Sequence, residues 1–466
     1  MTNPVWDGVT IDYTLLQNYG WYNTTVTTSD GQTYPRLVGY QVAGLRDMST
    51  ALTSAQTAST AAVAAAAQAV PAATTATTQA AIAVAAANTA VGTSLIKQPS
   101  EIAGIDPALD FYMASALALP AGVVTSASAK YVFDRAGLLT SVASLTPPID
   151  FDPVTSVTRG LPVEPAATNL LRYSQQFENA VWSTFGTVTV TANNATAPDG
   201  TATADKLVIS ASSGIYQLAT VTAGTYTASV WLRADSPVTV SLASNDSPSS
   251  GAATTSCSVT TVWQRFSVTK TTPNTSLNLQ INGPATVYAW QGQLEAGSFA
   301  TSPILTTSST ATRAADANTL LLSSVPGWNA SEGTIYVEAR TALASGTQTY
   351  AQYDDGTANN RLCVYRDSSN VLRCVVVVSG STVVNLNLGA VANDTFFKVA
   401  FAWKANSFAA SVNGGAAVTS SSGAIPSGLT THRIGHDSSG NHANAPIRRD
   451  VGFPRALPST VQLLTA

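Results

Sequence analysis

Three features of the 466-residue chain point to a mostly β protein with an N-terminal α-helical stalk. Between Asp47 and Lys97 no residue is charged, and alanine fills 20 of the 41 positions from Ala51 to Val91; alanine is the strongest helix former. From Asn169 onward, short runs rich in Val, Thr, Tyr and Trp recur between Gly, Asn, Asp and Ser turns, the pattern of antiparallel sandwiches. The length exceeds what one hydrophobic core organises, so several folded units are expected. The expected architecture is an Ala-rich coiled coil followed by two antiparallel, jelly-roll-like β-sandwich modules.

Residues 1–40 combine Trp6, Tyr13, Tyr19, Trp21, Tyr22, Tyr34 and Tyr40 with the turn pairs Asp7-Gly8 and Asp30-Gly31. The segment is too short for a core of its own, so its aromatics are expected to pack on a partner or on copies of the chain. Trp6, Trp21 and Tyr22 are the candidate anchor residues; a small β-hairpin cap is the alternative. Residues 41–98 accept a heptad through Leu45, Met48, Leu52, Ala55, Ser59, Ala62, Ala66 and Ala69. One alanine helix buries too little to stand alone, so the segment reads as a thin stalk of identical chains, preferably a trimer, broken at Pro71. A flexible Ala/Thr linker is the competing reading.

Prolines punctuate residues 99–167, where a β-rich junction begins and Lys130 to Leu139 reads as a hairpin turning at Asp134 to Gly137. Residues 168–313 hold eight expected strands: Gly186 to Ala192, Asp205 to Ile209, Gly214 to Leu218, Gly224 to Arg233, Pro237 to Ala243, Thr261 to Val268, Leu277 to Ile281 and Thr286 to Leu294. Period-two alternation puts Tyr226, Ala228, Val230 and Leu232 on one face, with Trp231 and Arg233 on the other. Residues 314–466 form a second β module, with strands expected at Gly333 to Ala339, Tyr350 to Asp354, Asn360 to Arg366, Val371 to Val378, Phe396 to Trp403, Ser407 to Val412 and Thr431 to Gly435. Cys363 and Cys374 lie equidistant from the turn Asp367 to Asn370, which places them directly opposite, within reach of a crosslink. Assembly in a cytosol favours buried free thiols instead.

Only 10% of residues are charged, against roughly 25% in an average soluble protein, and the net charge is −4 without any long run of one sign. Nucleic acid and membrane insertion are therefore not expected. The first twenty residues show no signal-peptide pattern, so synthesis in a cytosol is expected.

The stretch around Asp150-Phe151-Asp152-Pro153, Gly160-Leu161, Glu164, Thr168-Asn169-Leu170-Leu171, Tyr173-Ser174, Phe177 and Trp182 resembles a junction of bacteriophage tail-fibre and head-spike-fibre proteins. The resemblance continues through Pro198 to Leu207, Tyr226 to Arg233, Trp263 to Phe266 and Trp290 to Pro303, which look like a carbohydrate-binding-module-like jelly roll. The C-terminal module, with Trp403, Val412 to Gly415, Ile434-Gly435 and Pro454 to Leu463, resembles laminin-G or concanavalin-like sandwiches. The resemblance implies a virion-attached, homotrimeric fibre that binds other virion proteins through its N-terminus and adheres to host-surface polysaccharide. A structural decoration fibre and a capsule depolymerase are the alternatives.

Sugar recognition needs flat apolar faces and planar polar groups. Trp328, Tyr353 and Trp231 are the candidate faces, and Asp354, Asp355 and Asn359 the candidate polar partners. Asp354 and Asp355 beside Asn359 and Asn360 also offer oxygen ligands for calcium, as in many laminin-G-like modules. His432, His436 and His442 are expected on a rim loop making polar contacts rather than holding a metal. Glu295, Glu332 and Glu338 read as turn or surface groups, and no hydrolase motif occurs, so no enzyme is expected.

Overall fold

The computed structural model describes residues 5–6, 9–10, 21–27, 33–39, 106–112, 128–247, 250–344 and 346–466. The chain divides into two compact units, Met1–Thr93 and Ser94–Ala466. In the first, Val5–Trp6 pairs with Val9–Thr10, and Trp21–Thr27 with Thr33–Gly39, both antiparallel. The candidate anchors fall on these strands, Trp6 opposite Val9, Trp21 opposite Gly39 and Tyr22 opposite Val38. The expected alanine stalk lies outside the described residues. Of the described residues, no helix is long and apolar enough to cross a membrane.

The described residues of the second unit form antiparallel β-sheets joined by turns, with one short α-helix at Val461–Thr465. Its first sandwich packs two five-stranded sheets. One runs in the order Val188–Ala195, Ala204–Ile209, Ala285–Ala296, Gly224–Arg233, Gln264–Thr272. The other runs Ser183–Phe185, Gly214–Thr220, Ser276–Asn282, Val238–Ser244, Ala253–Val259. Strict alternation fills the space between them: Tyr226, Ala228, Val230 and Leu232 meet Ile215, Leu242, Leu277, Leu279 and Ile281 in one core. Each of the Val, Leu and Ile side chains contributes about 1.5–3 kcal/mol when fully buried. Trp231 points the other way, as alternation requires, but is not exposed there. The hairpin Lys130–Phe133 with Leu139–Val142 lies over it, and Phe133 meets its ring edge-on at 5.6 Å.

In the second sandwich a six-stranded sheet runs Thr319–Leu321, Thr431–Ile434, Gln348–Asp354, Arg361–Arg366, Val371–Val378, Ser381–Ala390. It faces a sheet built on Val418–Ser420, Ser407–Val412, Phe396–Lys404, Glu332–Arg340 and Ala445–Phe453. Leu109–Tyr112, Thr158–Val163 and Asp150–Phe151 complete that second sheet. Chain order thus leaves the second sandwich after Thr158–Val163, builds the first sandwich, and returns at Thr319–Leu321. Ala167–Asn169 pairs with Ala311–Arg313 where the two paths meet.

A charge cluster closes that crossing. Lys130 Nζ contacts Asp316 Oδ2 and lies 3.2 Å from Glu164 Oε2, while Arg313 Nη2 lies 3.3 Å from the same Glu164 oxygen. Ser302 donates its backbone N–H and hydroxyl to Glu164. Burial works against the Glu164 charge, but Lys130, Arg313 and Ser302 bring its carboxyl down to about 2.

The hairpin register corrects one expectation. Cys363 stands opposite Val375, and Cys374 opposite Val364, so the two thiols occupy opposite faces of the sheet. The turn Asp367 to Asn370 shifts the pairing by one residue from the symmetric register, with Asn370 at φ 67°, and a one-residue slip reverses a strand's faces. All three cysteines are buried and free. Burial pushes the Cys363 thiol up to about 12.

Candidate functional site

The outer face of the sheet from Ser183–Phe185 to Ala253–Val259 carries amide, aromatic and hydroxyl side chains side by side. Leu277, Leu279 and Ile281 point into the core, so Asn278, Gln280 and Asn282 form a file on the opposite face. The amides are wired together. Asn278 Nδ2 donates to Gln280 Oε1 at 3.4 Å, Gln280 Nε2 donates to Asn282 Oδ1 at 2.7 Å, and Asn245 Nδ2 donates to Gln280 Oε1 at 2.9 Å. This chain fixes which end of each amide is donor and which is acceptor. Asn282 Nδ2 donates to no protein group among the described residues.

Aromatic surface lies beside the amides. Register sets Tyr216 between Ser183 and Gln280, and Leu218 next to Asn278. Phe185 pairs with Gly214, whose other neighbour is Asn282. A Cβ on Gly214 would come within 2.7 Å of the Phe185 ring and 2.5 Å of Asn282 Oδ1. The missing side chain therefore lets the Phe185 ring lie down on the sheet beside the amide. Phe185 and Tyr216 tilt toward each other at 6.4 Å between centroids, and Phe185 stays 39% and Leu218 52% exposed. Ser241, Thr254 and Ser256 continue the face with hydroxyls. None of these side chains is charged at neutral pH, so what the face presents is aromatic surface, amide donors and acceptors, and hydroxyls.

The residues expected from sequence fall elsewhere. Tyr353 is 2% exposed and stacks on His432 at 4.4 Å inside the second sandwich. Trp328 closes over it at 4.9 Å, half-buried. Asp354 is buried and bound by Arg433 Nε at 2.6 Å. Asp355 spends its oxygens on Thr357 and Asn360, and exposed Asn359 accepts the Gly380 N–H through its carbonyl. Trp231 lies beneath Phe133. Among the described residues no group of three or more His, Cys, Asp or Glu side chains gathers to hold a metal.

Two other expectations change. His432 is not on a rim loop: its Nε2 lies 3.1 Å from both Asp450 oxygens in the core, joining the two sheets. His436 and His442 are buried and stacked at 5.7 Å, contacting the carbonyls of Asn318 and Asp316. Glu295 is fully buried rather than on the surface, because residues 297–306 cross its sheet and Thr301 donates to both its oxygens. Glu332 and Glu338 pair with Lys404 and Arg448. A recess of about 390 Å³ beside Phe396 is already filled on its aromatic side by the Arg448 guanidinium, 3.7 Å from the ring centroid.

The amide file was present in the sequence as Leu277-Asn-Leu-Gln-Ile-Asn282, an unbroken apolar/amide alternation. Its signal was the outward half of the alternation. Phe185 and the Gly214 seat had no such signal, since they meet only through pairing.

No protein-family model matches the chain, and no curated protein does. Among solved structures the chain is similar to the Ruminococcus gnavus IT-sialidase CBM40 bound to α2,3-sialyllactose, at 17% identity over 30% of this chain and 84% of that one, with a TM-score of 0.27. It is similar to the NanB sialidase of Streptococcus pneumoniae at 13% identity, over 30% of this chain and 25% of that one, TM-score 0.26. Domain 4 of AbnA, a GH43 extracellular arabinanase from Geobacillus stearothermophilus in complex with arabinotriose, is similar at 11% identity over 33% and 73%, TM-score 0.26.

Proposed function

We propose that the chain is a virion-attached fibre of a bacterial virus that holds host-surface carbohydrate without cleaving it, and that the outer face of the first sandwich makes the contact. The observation that carries the binding reading is the hydrogen-bonded file Asn278, Gln280 and Asn282 flanked by Phe185 and Tyr216. A pyranose offers C–H faces to the rings and hydroxyls, each both donor and acceptor, to the oriented amides. The uncharged face suits a neutral glycan. Its openness suits weak binding, which three copies on one stalk convert to firm attachment through effective concentration.

Assignment to a fibre rests on the sequence resemblance of the junction, from Asp150 to Trp182. The test is binding of the full chain to host cells before and after periodate oxidation of their glycans. Periodate-sensitive binding that falls with Gln280→Ala supports the reading. Binding that survives periodate replaces the glycan with a non-carbohydrate receptor, and no binding by a folded chain replaces adhesion with structural decoration.

A further inference from the structure

We propose that the second sandwich carries a separate site, on the outer face of its six-stranded sheet, for a carboxylated sugar, with Arg361 as the cation. Leu362 and Val364 point into the core, so Arg361, Cys363 and Tyr365 face outward from the same strand. Register places Cys363 between Gln352 and Val375, Arg361 between Asp354 and Val377, and Tyr365 between Thr349 and Arg373. Asn385 stands beyond Val375. Small residues thus form a floor, Cys363, Val375 and Val377 at 4 to 5% exposure, ringed by half-buried Arg361, Tyr365 and Arg373 and exposed Asn385.

The charges of this ring do not balance in pairs. Arg433 is held by Asp354 at 2.6 Å and Arg373 by Asp367 at 2.7 Å. Asp437, the remaining carboxylate near the face, takes hydrogen bonds from Thr349, Asn441 and the Ser439 N–H. Arg361 donates Nη1 only to the Ala358 carbonyl at 3.0 Å, and makes no ion pair among the described residues. Its Nε is buried without a partner, and so is Oε1 of Gln352, two strand positions from Asp354. An unpartnered buried donor and acceptor each carry a desolvation cost that a ligand can remove.

A guanidinium with no carboxylate partner and with donors left over after the Ala358 bond matches a carboxylate, while the apolar floor and the Tyr365 ring match the C–H face of a sugar. The first sandwich's face has no cation at all. The two faces are therefore sorted by charge, and this site stands independently of the neutral-glycan reading.

The test is equilibrium binding of trigalacturonate and its neutral counterpart galactotriose to the full chain at two salt concentrations. The expected result is at least a tenfold preference for trigalacturonate, weakening with salt, lost in Arg361→Gln and reduced in Tyr365→Ala, with thermal midpoints recording that both variants fold. Gln280→Ala is expected to weaken the neutral ligand alone, which registers failure of the other face separately. Equal binding of acidic and neutral trimers, no binding of either, or trigalacturonate affinity unchanged by Arg361→Gln overturns the proposal.

Discussion

Gly214 holds its position because of what lies on it. Adding a methyl there forces the Phe185 ring off the sheet and crowds Asn282 Oδ1, so Gly214→Ala is expected to weaken glycan binding about tenfold, a loss of ~1.4 kcal/mol. Phe185→Ala should lose a similar amount with little change in the thermal midpoint, because the ring is exposed; titration of both variants against the bound glycan checks this. A second residue-level prediction concerns Asp205. Burial raises its carboxyl, neighbouring Glu178 adds to this, and the N–H groups of Asn193 and Phe177 only partly offset it, leaving it at about 7. Between its ordinary 3.8 and about 7 the folded chain keeps a proton that the unfolded chain has lost, so this group makes stability fall as pH rises through that window. Glu178→Gln should flatten that slope in denaturant melts. His436 acts oppositely: burial lowers it to about 4, so its contribution is present above its ordinary 6.5 and is lost as pH falls toward 4.

At the level of elements, alternation was the readable signal and pairing was not. The strands of the first sandwich's inner core were legible because apolar residues recur at every second position, as Tyr226, Ala228, Val230 and Leu232 do in Gly224–Arg233. Ala253–Val259 was not legible: it is an edge strand of small polar residues whose outward positions, such as Thr254 and Ser256, face solvent. Ser381–Ala390 and Ala445–Phe453 escaped for a related reason, since exposed edge positions dilute the first and Arg448, Arg449 and Asp450 interrupt the second. Aromatic residues were misleading as site markers. Trp231 and Tyr353 have the right chemistry for sugar, but a hairpin from 130–142 covers one and the facing sheet covers the other. The one-residue offset of Cys363 and Cys374 has a direct check. Mass spectrometry after oxidation should show no Cys363–Cys374 disulfide, and the native chain should resist alkylation, because burial raises both thiols.

Across the whole second unit, the crossing between sandwiches rests on Lys130, Glu164, Arg313 and Asp316. Lys130 is 1% exposed, so removing its charge leaves Arg313 as the one remaining cation paired with Glu164 and Asp316 among the described residues. Lys130→Met is expected to cost about 3–5 kcal/mol, the range for breaking a buried ion pair from one side. The loss should appear as a lowered denaturant midpoint. Glu164 adds stability that is present above its ordinary 4.5 and lost as pH falls toward about 2.

The central claim is that the uncharged amide face of the first sandwich binds neutral glycan. The most direct test is titration of the full chain, and of the double variant Gln280→Ala with Asn282→Ala, against the neutral oligosaccharide that best competes for attachment to host cells. Loss of at least tenfold in affinity, with the thermal midpoint preserved, is the predicted result. Unchanged affinity in a folded double variant would contradict the account and place the glycan on another surface.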